Sequence, residues 1–150
     1  MKKFEFSLNK LQSYKEQVLE SEKNTLGILR KELNDLHFAL EESIRVVDIK
    51  SDELAYIMVR GVTMNDLAAR KRYITLKQQE GHELRRAIAA KEHEVEVQLE
   101  VVVEATKEVN TLEKLEERQF EEYRYEEMKQ EEQFIEEFVS NQRVRKQLAL

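Results

Sequence analysis

Residues 26–47 read LGILRKELNDLHFALEESIRVV, and their apolar residues recur every three or four positions. This spacing puts the apolar side chains on one face of an α-helix. The stripe extends in both directions as Leu8, Leu11, Lys15, Val18, Glu22, Leu26, Leu29, Leu33, Leu36, Leu40, Ile44 and Val47. Its blocks restart at residues 8, 26 and 44, every 18 residues, which is the period of a straight helix. We therefore expect a weakly wound helix pair rather than a rope-like supercoil.

A second stripe follows in the other half of the chain, with charged residues on both flanks. It reads Leu84, Ile88, Val95, Leu99, Val102, Val109, Leu112, Leu115, Phe120, Tyr123 and Phe134. A lone helix with such a stripe is marginally stable in water, so the two stripes should pack on each other. The predicted fold is all-α, a long antiparallel two-helix coiled-coil hairpin. Each arm of about 60 residues would be about 90 Å long.

A turn signal lies between the two stripes, at residues 59–67. Gly61 suits the left-handed position after a helix end, and Thr63 can cap the next helix, with Asp66 three residues later. We predict one domain over residues 1–150, with a first arm at about 4–59, a bend and tip at about 60–82, and a second arm at about 83–146. Gly81 is a second weak point, which leaves open a separate short helix over residues 64–80.

The composition supports helices and excludes several classes of site. Charged residues make up 37% of the chain, and it contains three glycines, no proline and no cysteine. Disulfides and thiolate metal sites are therefore excluded. No segment has the roughly 18 consecutive apolar residues that a membrane span needs, so we expect a soluble protein without direct membrane insertion.

The net charge is −6, which argues against nucleic-acid binding. The charge is also uneven along the chain. Residues 66–91 carry seven basic and three acidic residues, whereas residues 104–137 carry five basic and thirteen acidic residues. The predicted tip is therefore basic and the second arm is acidic.

The residue patterns of catalysis and metal binding are missing. His37, His82 and His93 are too far apart in sequence to form a helical ligand pair, and none follows a glutamate at the spacing of a carboxylate-bundle site. A two-helix hairpin also encloses no pocket that would separate carboxylate pKa values. We predict no catalytic residues, no metal and no cofactor.

Aromatic residues are concentrated at the two ends of the sequence. They are Phe4, Phe6 and Tyr14 on one side, and Phe120, Tyr123, Tyr125, Phe134 and Phe138 on the other. An antiparallel hairpin brings both groups to its open end. Because two helices cannot bury many aromatic rings, we interpret this end as a partner interface.

The aromatic opening and one motif of the second arm resemble the FliJ family, the small coiled-coil proteins of the bacterial flagellar type III export apparatus. The opening is Phe4-x-Phe6-x-Leu8-x-Lys10-Leu11 followed by Tyr14-Lys15, and the second arm has Leu112-Glu113-Lys114-Leu115, then Arg118 and Tyr123. The resemblance covers nearly the whole chain. An Asp-Glu pair common late in the second arm of this family is replaced by Glu131-Glu132-Gln133-Phe134.

The resemblance implies a non-enzymatic, stalk-like component that enters the hexameric export ATPase, favours its assembly, and couples it to the export-gate membrane protein and the export chaperones. It also implies a cytoplasmic protein, peripherally associated with the cell membrane through the export apparatus, and a monomer when free. By the stalk analogy, the ATPase contact would be Phe4, Phe6, Phe120 and Tyr123. The export-gate contact at the tip would be Tyr56, Tyr73 and Leu76.

Two other functions fit the same residue patterns. One is a self-associating coiled-coil scaffold or tethering protein, which would form dimers that depend on concentration. The other is a holdase-type chaperone.

Overall fold

The structure is a computed structural model that describes residues 2–149. These residues form two α-helices, α1 (Asn9–Arg60) and α2 (Met64–Ala149), which pack against each other as a hairpin. The predicted all-α, two-helix fold is therefore confirmed.

Within this hairpin, the packing divides the chain into two compact units. The first unit combines the chain up to Leu19 with the chain from Glu104 onwards, and the second is the continuous segment Glu20–Val103. The functional features described below lie within one unit or the other. That residues 1–150 form one domain stays a prediction.

The bend between the helices is formed by residues 61–63. Gly61 has a φ of 103°, in the left-handed region that a glycine adopts without strain, and its N–H donates to the carbonyl of Ile57 at 2.9 Å. The hydroxyl of Thr63 accepts a hydrogen bond from the backbone N–H of Asp66 at 3.2 Å. The predicted helix stop and helix cap are both present.

The predicted tip at 60–82 was too long, because α2 starts at Met64 and runs through Gly81 without a break. There is no separate short helix at residues 64–80. One interior glycine costs only about 1 kcal/mol of helix propensity, which packing can offset. Gly81 is buried against α1, where an added Cβ would lie 3.8 Å from the Ser43 hydroxyl and 4.0 Å from the Leu40 side chain.

Most of the residues shielded from solvent form one row along each helix, with steps of three and four. On α1 they are residues 12, 15, 19, 22, 26, 29, 33, 36, 40, 43, 47, 50, 54 and 57. On α2 they are residues 67, 70, 74, 77, 81, 84, 88, 91, 95, 98, 102, 105, 109, 112, 116, 119 and 123. We call these two rows the seam. Their repeat is seven residues, as in a coiled coil, so the predicted 18-residue straight-helix period was wrong.

The period was misjudged because polar residues occupy several seam positions beside exposed apolar ones. Gln12 is in the seam and Leu11 is exposed, Ser43 is in the seam and Ile44 is exposed, and Gln98 is in the seam and Leu99 is exposed.

Each of these polar side chains has a hydrogen-bond partner on the facing helix. Gln12 donates to Glu116 at 2.7 Å, Ser43 donates to the carbonyl of Lys77 at 3.1 Å, and Gln98 donates to the carbonyl of Glu22 at 3.0 Å. The partners satisfy polar groups that would otherwise be costly to shield from water.

Ion pairs from two lysines of the seam also join the two helices. Lys15 donates to Glu108 and Lys91 donates to Glu32, both at 2.8 Å. These hydrogen bonds raise the pKa of both lysines above the ordinary value. The stabilisation that these two ion pairs give to the fold is therefore fully present below the pKa of a lysine in the unfolded chain. It is lost as the pH rises through the higher pKa that the lysines have in the folded chain. Both pairs are solvent-exposed, so the contribution is small.

Two glycine substitutions test the bend against the helix body. Gly61→Ala should lower the free energy of unfolding by about 1 to 2 kcal/mol, because a Cβ is strained at this φ. Gly27→Ala is the matched control, since Gly27 lies in the body of α1 with nothing within 4 Å of an added Cβ. It should raise the free energy of unfolding by about 1 kcal/mol. Urea denaturation measures both changes in the free energy of unfolding. If the two substitutions changed it in the same direction, the observed bend would be contradicted.

Candidate functional site

Three aromatic rings, those of Phe4, Phe120 and Tyr123, form a cluster in the first unit. The ring centroids of Phe4 and Phe120 are 5.2 Å apart and nearly perpendicular, and those of Phe4 and Tyr123 are 5.5 Å apart. The Tyr123 hydroxyl donates to the carbonyl of Lys2 at 2.6 Å, which ties the N-terminal segment to α2. We call these three residues the aromatic cluster. It is partly open to solvent, since Phe120 is 42% exposed.

Phe6, the fourth residue of the predicted ATPase contact, is not among the rings in contact. Its side chain is only 7% exposed and is buried in the interior of the first unit. A ring buried in this way stabilises the N-terminal segment and offers almost no surface to a partner. The structure therefore brings three of the four predicted residues together and assigns Phe6 to the interior.

Apolar side chains are also exposed at the bend and along the adjoining parts of both helices, in the second unit. Six large apolar side chains are exposed there, and we call them the bend patch: Tyr56, Met58, Val59, Met64, Tyr73 and Leu76. The most exposed are Val59 at 89% and Met64 at 80%. Connections between helices are usually polar, so exposed apolar residues on both sides of the bend are unusual.

The three residues predicted to contact the export gate all belong to the bend patch. Tyr73 and Leu76 are three positions apart on α2 and therefore share one face of the helix. Tyr56 is on α1. Cations lie over both tyrosine rings, with Arg60 at 4.7 Å from the ring centroid of Tyr56 and Lys77 at 5.8 Å from that of Tyr73. The bend patch is thus apolar with basic residues at its margin.

Sequence reasoning missed Met58, Val59 and Met64. The signal was present in residues 58–64, MVRGVTM, where four of the seven residues are methionine or valine although the segment is a turn. The turn residues Gly61 and Thr63 were used to locate the bend, and the apolar residues beside them were not considered as a surface.

The third feature is the C-terminal part of α2, beyond the ring of Tyr123. We call residues 124–149 the C-terminal extension. Every residue from 128 to 149 is exposed, including Phe134, Ile135, Phe138 and Val139. A groove of about 460 Å³ runs along its start, lined by Tyr123, Glu127, Gln130, Glu131, Phe134 and Ile135. Phe134, predicted to belong to the packed stripe, is in fact 70% exposed.

All three features include apolar side chains that are exposed to solvent. Among residues 2–149 there is no group of three or more His, Asp or Glu side chains placed to hold a metal ion. None of the helices formed by these residues is both long and apolar enough to cross a membrane. The pKa of Lys77 is raised by its hydrogen bond to Glu80 on the same helix, which is a surface ion pair.

The position of Phe6 can be tested with two phenylalanine substitutions. Phe6→Ala should lower the free energy of unfolding by about 3 kcal/mol, because it removes a buried ring from the first unit. Phe38→Ala is the control, since Phe38 is exposed on α1, and it should change this free energy by less than about 0.5 kcal/mol. Urea denaturation followed by circular dichroism measures both. Similar effects of the two substitutions would show that Phe6 is not part of the interior.

The comparisons with known proteins identify the family. The family model described as the flagellar FliJ protein matches residues 4–148. No curated protein and no solved structure matches the chain. The FliJ family is a non-catalytic component of the flagellar export apparatus. Because the match covers nearly the whole chain, including the aromatic cluster, the bend patch and nearly all of the C-terminal extension, the chain belongs to the FliJ family.

Proposed function

We propose that this chain is the stalk of the flagellar export ATPase: it enters the centre of the hexameric ring, promotes assembly of the ring, and couples the ring to the export gate and to the export chaperones. The observation that carries the proposal is the family match over residues 4–148 together with a fold of two packed helices. A helical hairpin with exposed apolar surfaces suits a protein that acts by contact.

The contact with the ATPase is assigned to the first unit, through Phe4, Phe120 and Tyr123. Aromatic residues are common at the energetically dominant positions of interfaces. The exposed edge of Phe120 is available to a partner, and the internal ring contacts hold it in place without a partner. Phe6 supports this contact indirectly by anchoring the N-terminal segment.

The contact with the export gate is assigned to the bend patch, through Tyr56, Tyr73 and Leu76. Tyr73 is 43% exposed and Leu76 is 57% exposed, so both can bury apolar surface against a partner. The basic residues at the margin favour a partner surface with acidic groups beside an apolar pocket. Through this contact the chain would be held at the cytoplasmic face of the membrane.

Separate binding measurements test this assignment. The variant Tyr73→Ala/Leu76→Ala should weaken binding to the cytoplasmic part of the export-gate protein by about tenfold or more, because it removes two apolar anchors. Its stimulation of ATPase activity should be unchanged. Ile28→Ala is the matched control, since Ile28 is an equally exposed apolar residue of α1 outside the bend patch, and it should affect neither measurement.

Phe120→Ala should have the reciprocal effect, with reduced ATPase stimulation and unchanged gate binding. Loss of ATPase stimulation alone in Tyr73→Ala/Leu76→Ala would reverse the assignment of the two surfaces. A chain that neither binds the ATPase nor changes its hydrolysis rate would contradict the stalk function.

A further inference from the structure

The C-terminal extension carries a row of side chains with a symmetric spacing. Glu127, Phe134, Phe138 and Arg145 are separated by seven, four and seven residues, so all four lie on one face of α2. Read in either direction, the row has the same intervals. Its two central members are phenylalanines, its first member is acidic and its last is basic.

The charges of the extension are divided in the same way. Residues 126–137 carry six glutamates and one lysine, whereas residues 138–149 carry Arg143, Arg145 and Lys146 and no acidic residue. One half of the extension is therefore negative and the other half is positive.

This face continues the seam. Residues 116, 119, 123 and 127 are the last shielded positions of α2, and Phe134 and Phe138 follow on the same side of the helix. The seam of α2 is covered by the N-terminal segment as far as Tyr123, whose hydroxyl is bonded to Lys2. Beyond it, the phenylalanines are exposed. This exposed face therefore suits packing against another helix.

We propose that the C-terminal extension binds the extension of a second copy of this chain, as an antiparallel helix pair with twofold symmetry. Phe134 of each copy packs against Phe138 of the other. Glu127 of each copy pairs with Arg145 of the other, and this pair occurs twice.

Antiparallel pairing is favoured by the division of charge. It places the basic half of each extension beside the acidic half of the other, which is attractive at both ends. Parallel pairing would place acidic halves together and basic halves together, which is repulsive. Twofold symmetry is also the usual arrangement of two identical chains, because one self-complementary patch serves both copies.

The proposal goes beyond the stalk function and does not depend on it. It replaces the expectation of a free monomer with an association that depends on concentration. The extension lies in the same unit as the aromatic cluster. In the paired form, Phe134 and Phe138 are shielded from water while the chain is free of other partners.

Sedimentation velocity of the full chain over roughly a hundredfold range of concentration tests the association. We expect a shift from monomer to dimer. Phe134→Ala/Phe138→Ala should weaken the dimer by about tenfold or more, because it removes the apolar centre. Tyr125→Ala is the matched control, since Tyr125 is exposed on the opposite face of α2, nine residues before Phe134, and it should leave the dimer unchanged.

A charge exchange tests the direction of pairing. Glu127→Arg and Arg145→Glu should each weaken the dimer, because each puts like charges opposite one another. The double variant Glu127→Arg/Arg145→Glu should restore it. In a parallel dimer, Glu127 would face Glu127, and a single reversal would change little. Glu136→Arg, on the opposite face of the helix from Phe134, serves as the charge control and should not mimic Glu127→Arg.

Several outcomes would overturn the proposal. A chain that stays monomeric at the highest concentration would show that the row serves another protein. A dimer that survives Phe134→Ala/Phe138→Ala, or that Tyr125→Ala weakens equally, would place the interface elsewhere. Failure of the double charge exchange to restore the dimer would exclude the antiparallel arrangement.

Discussion

The packing of α1 against α2 along one narrow seam is the contact on which the rest of the structure depends. Two helices enclose only a thin core, and no side chain of residues 2–149 is less than 2% exposed. Stability must therefore come from many partly shielded positions repeated every seven residues, each contributing modestly. The same constraint explains the surfaces. Apolar residues that do not fit the seam stay in water, and those at the bend patch and the C-terminal extension are available to other proteins.

Polar residues within the seam give it a defined alignment. Gln12, Ser43 and Gln98 are each bonded to the facing helix. Sliding one helix along the other would leave these groups without partners, and an unpaired shielded polar group costs about 1 to 3 kcal/mol. Apolar residues at these positions would pack in several alignments with similar energy, so polar residues select one of them at some cost in stability. A fixed alignment in turn brings Phe4 to Phe120 and Tyr123, and so forms the aromatic cluster.

The helices and the bend could be predicted because their signals are local. Leucine spacing, the left-handed position of Gly61 and the cap at Thr63 each act within a few residues. The period of the seam could not be predicted in this way. Hydrophobicity favours Leu11 and Ile44 as the buried residues over Gln12 and Ser43, and only the contacts with the facing helix determine which of them is shielded. The burial of Phe6 and the exposure of Phe134 likewise depend on where the N-terminal segment ends against α2. The family, by contrast, was recognisable from its aromatic opening, and the match over residues 4–148 confirms it.

A distance between spin labels within the first unit tests the packing of the seams most directly. The chain has no cysteine, so single cysteines at Lys10 and Arg118, both exposed, can be labelled selectively. Dilution of labelled chain with an excess of unlabelled chain restricts the measurement to distances within one molecule. Helices packed about 10 Å apart predict a narrow distribution at roughly 20 to 30 Å once the label arms are included. A broad distribution, or a distance approaching the roughly 160 Å that separates these positions along one uninterrupted helix, would show that the seams do not pack within a single chain.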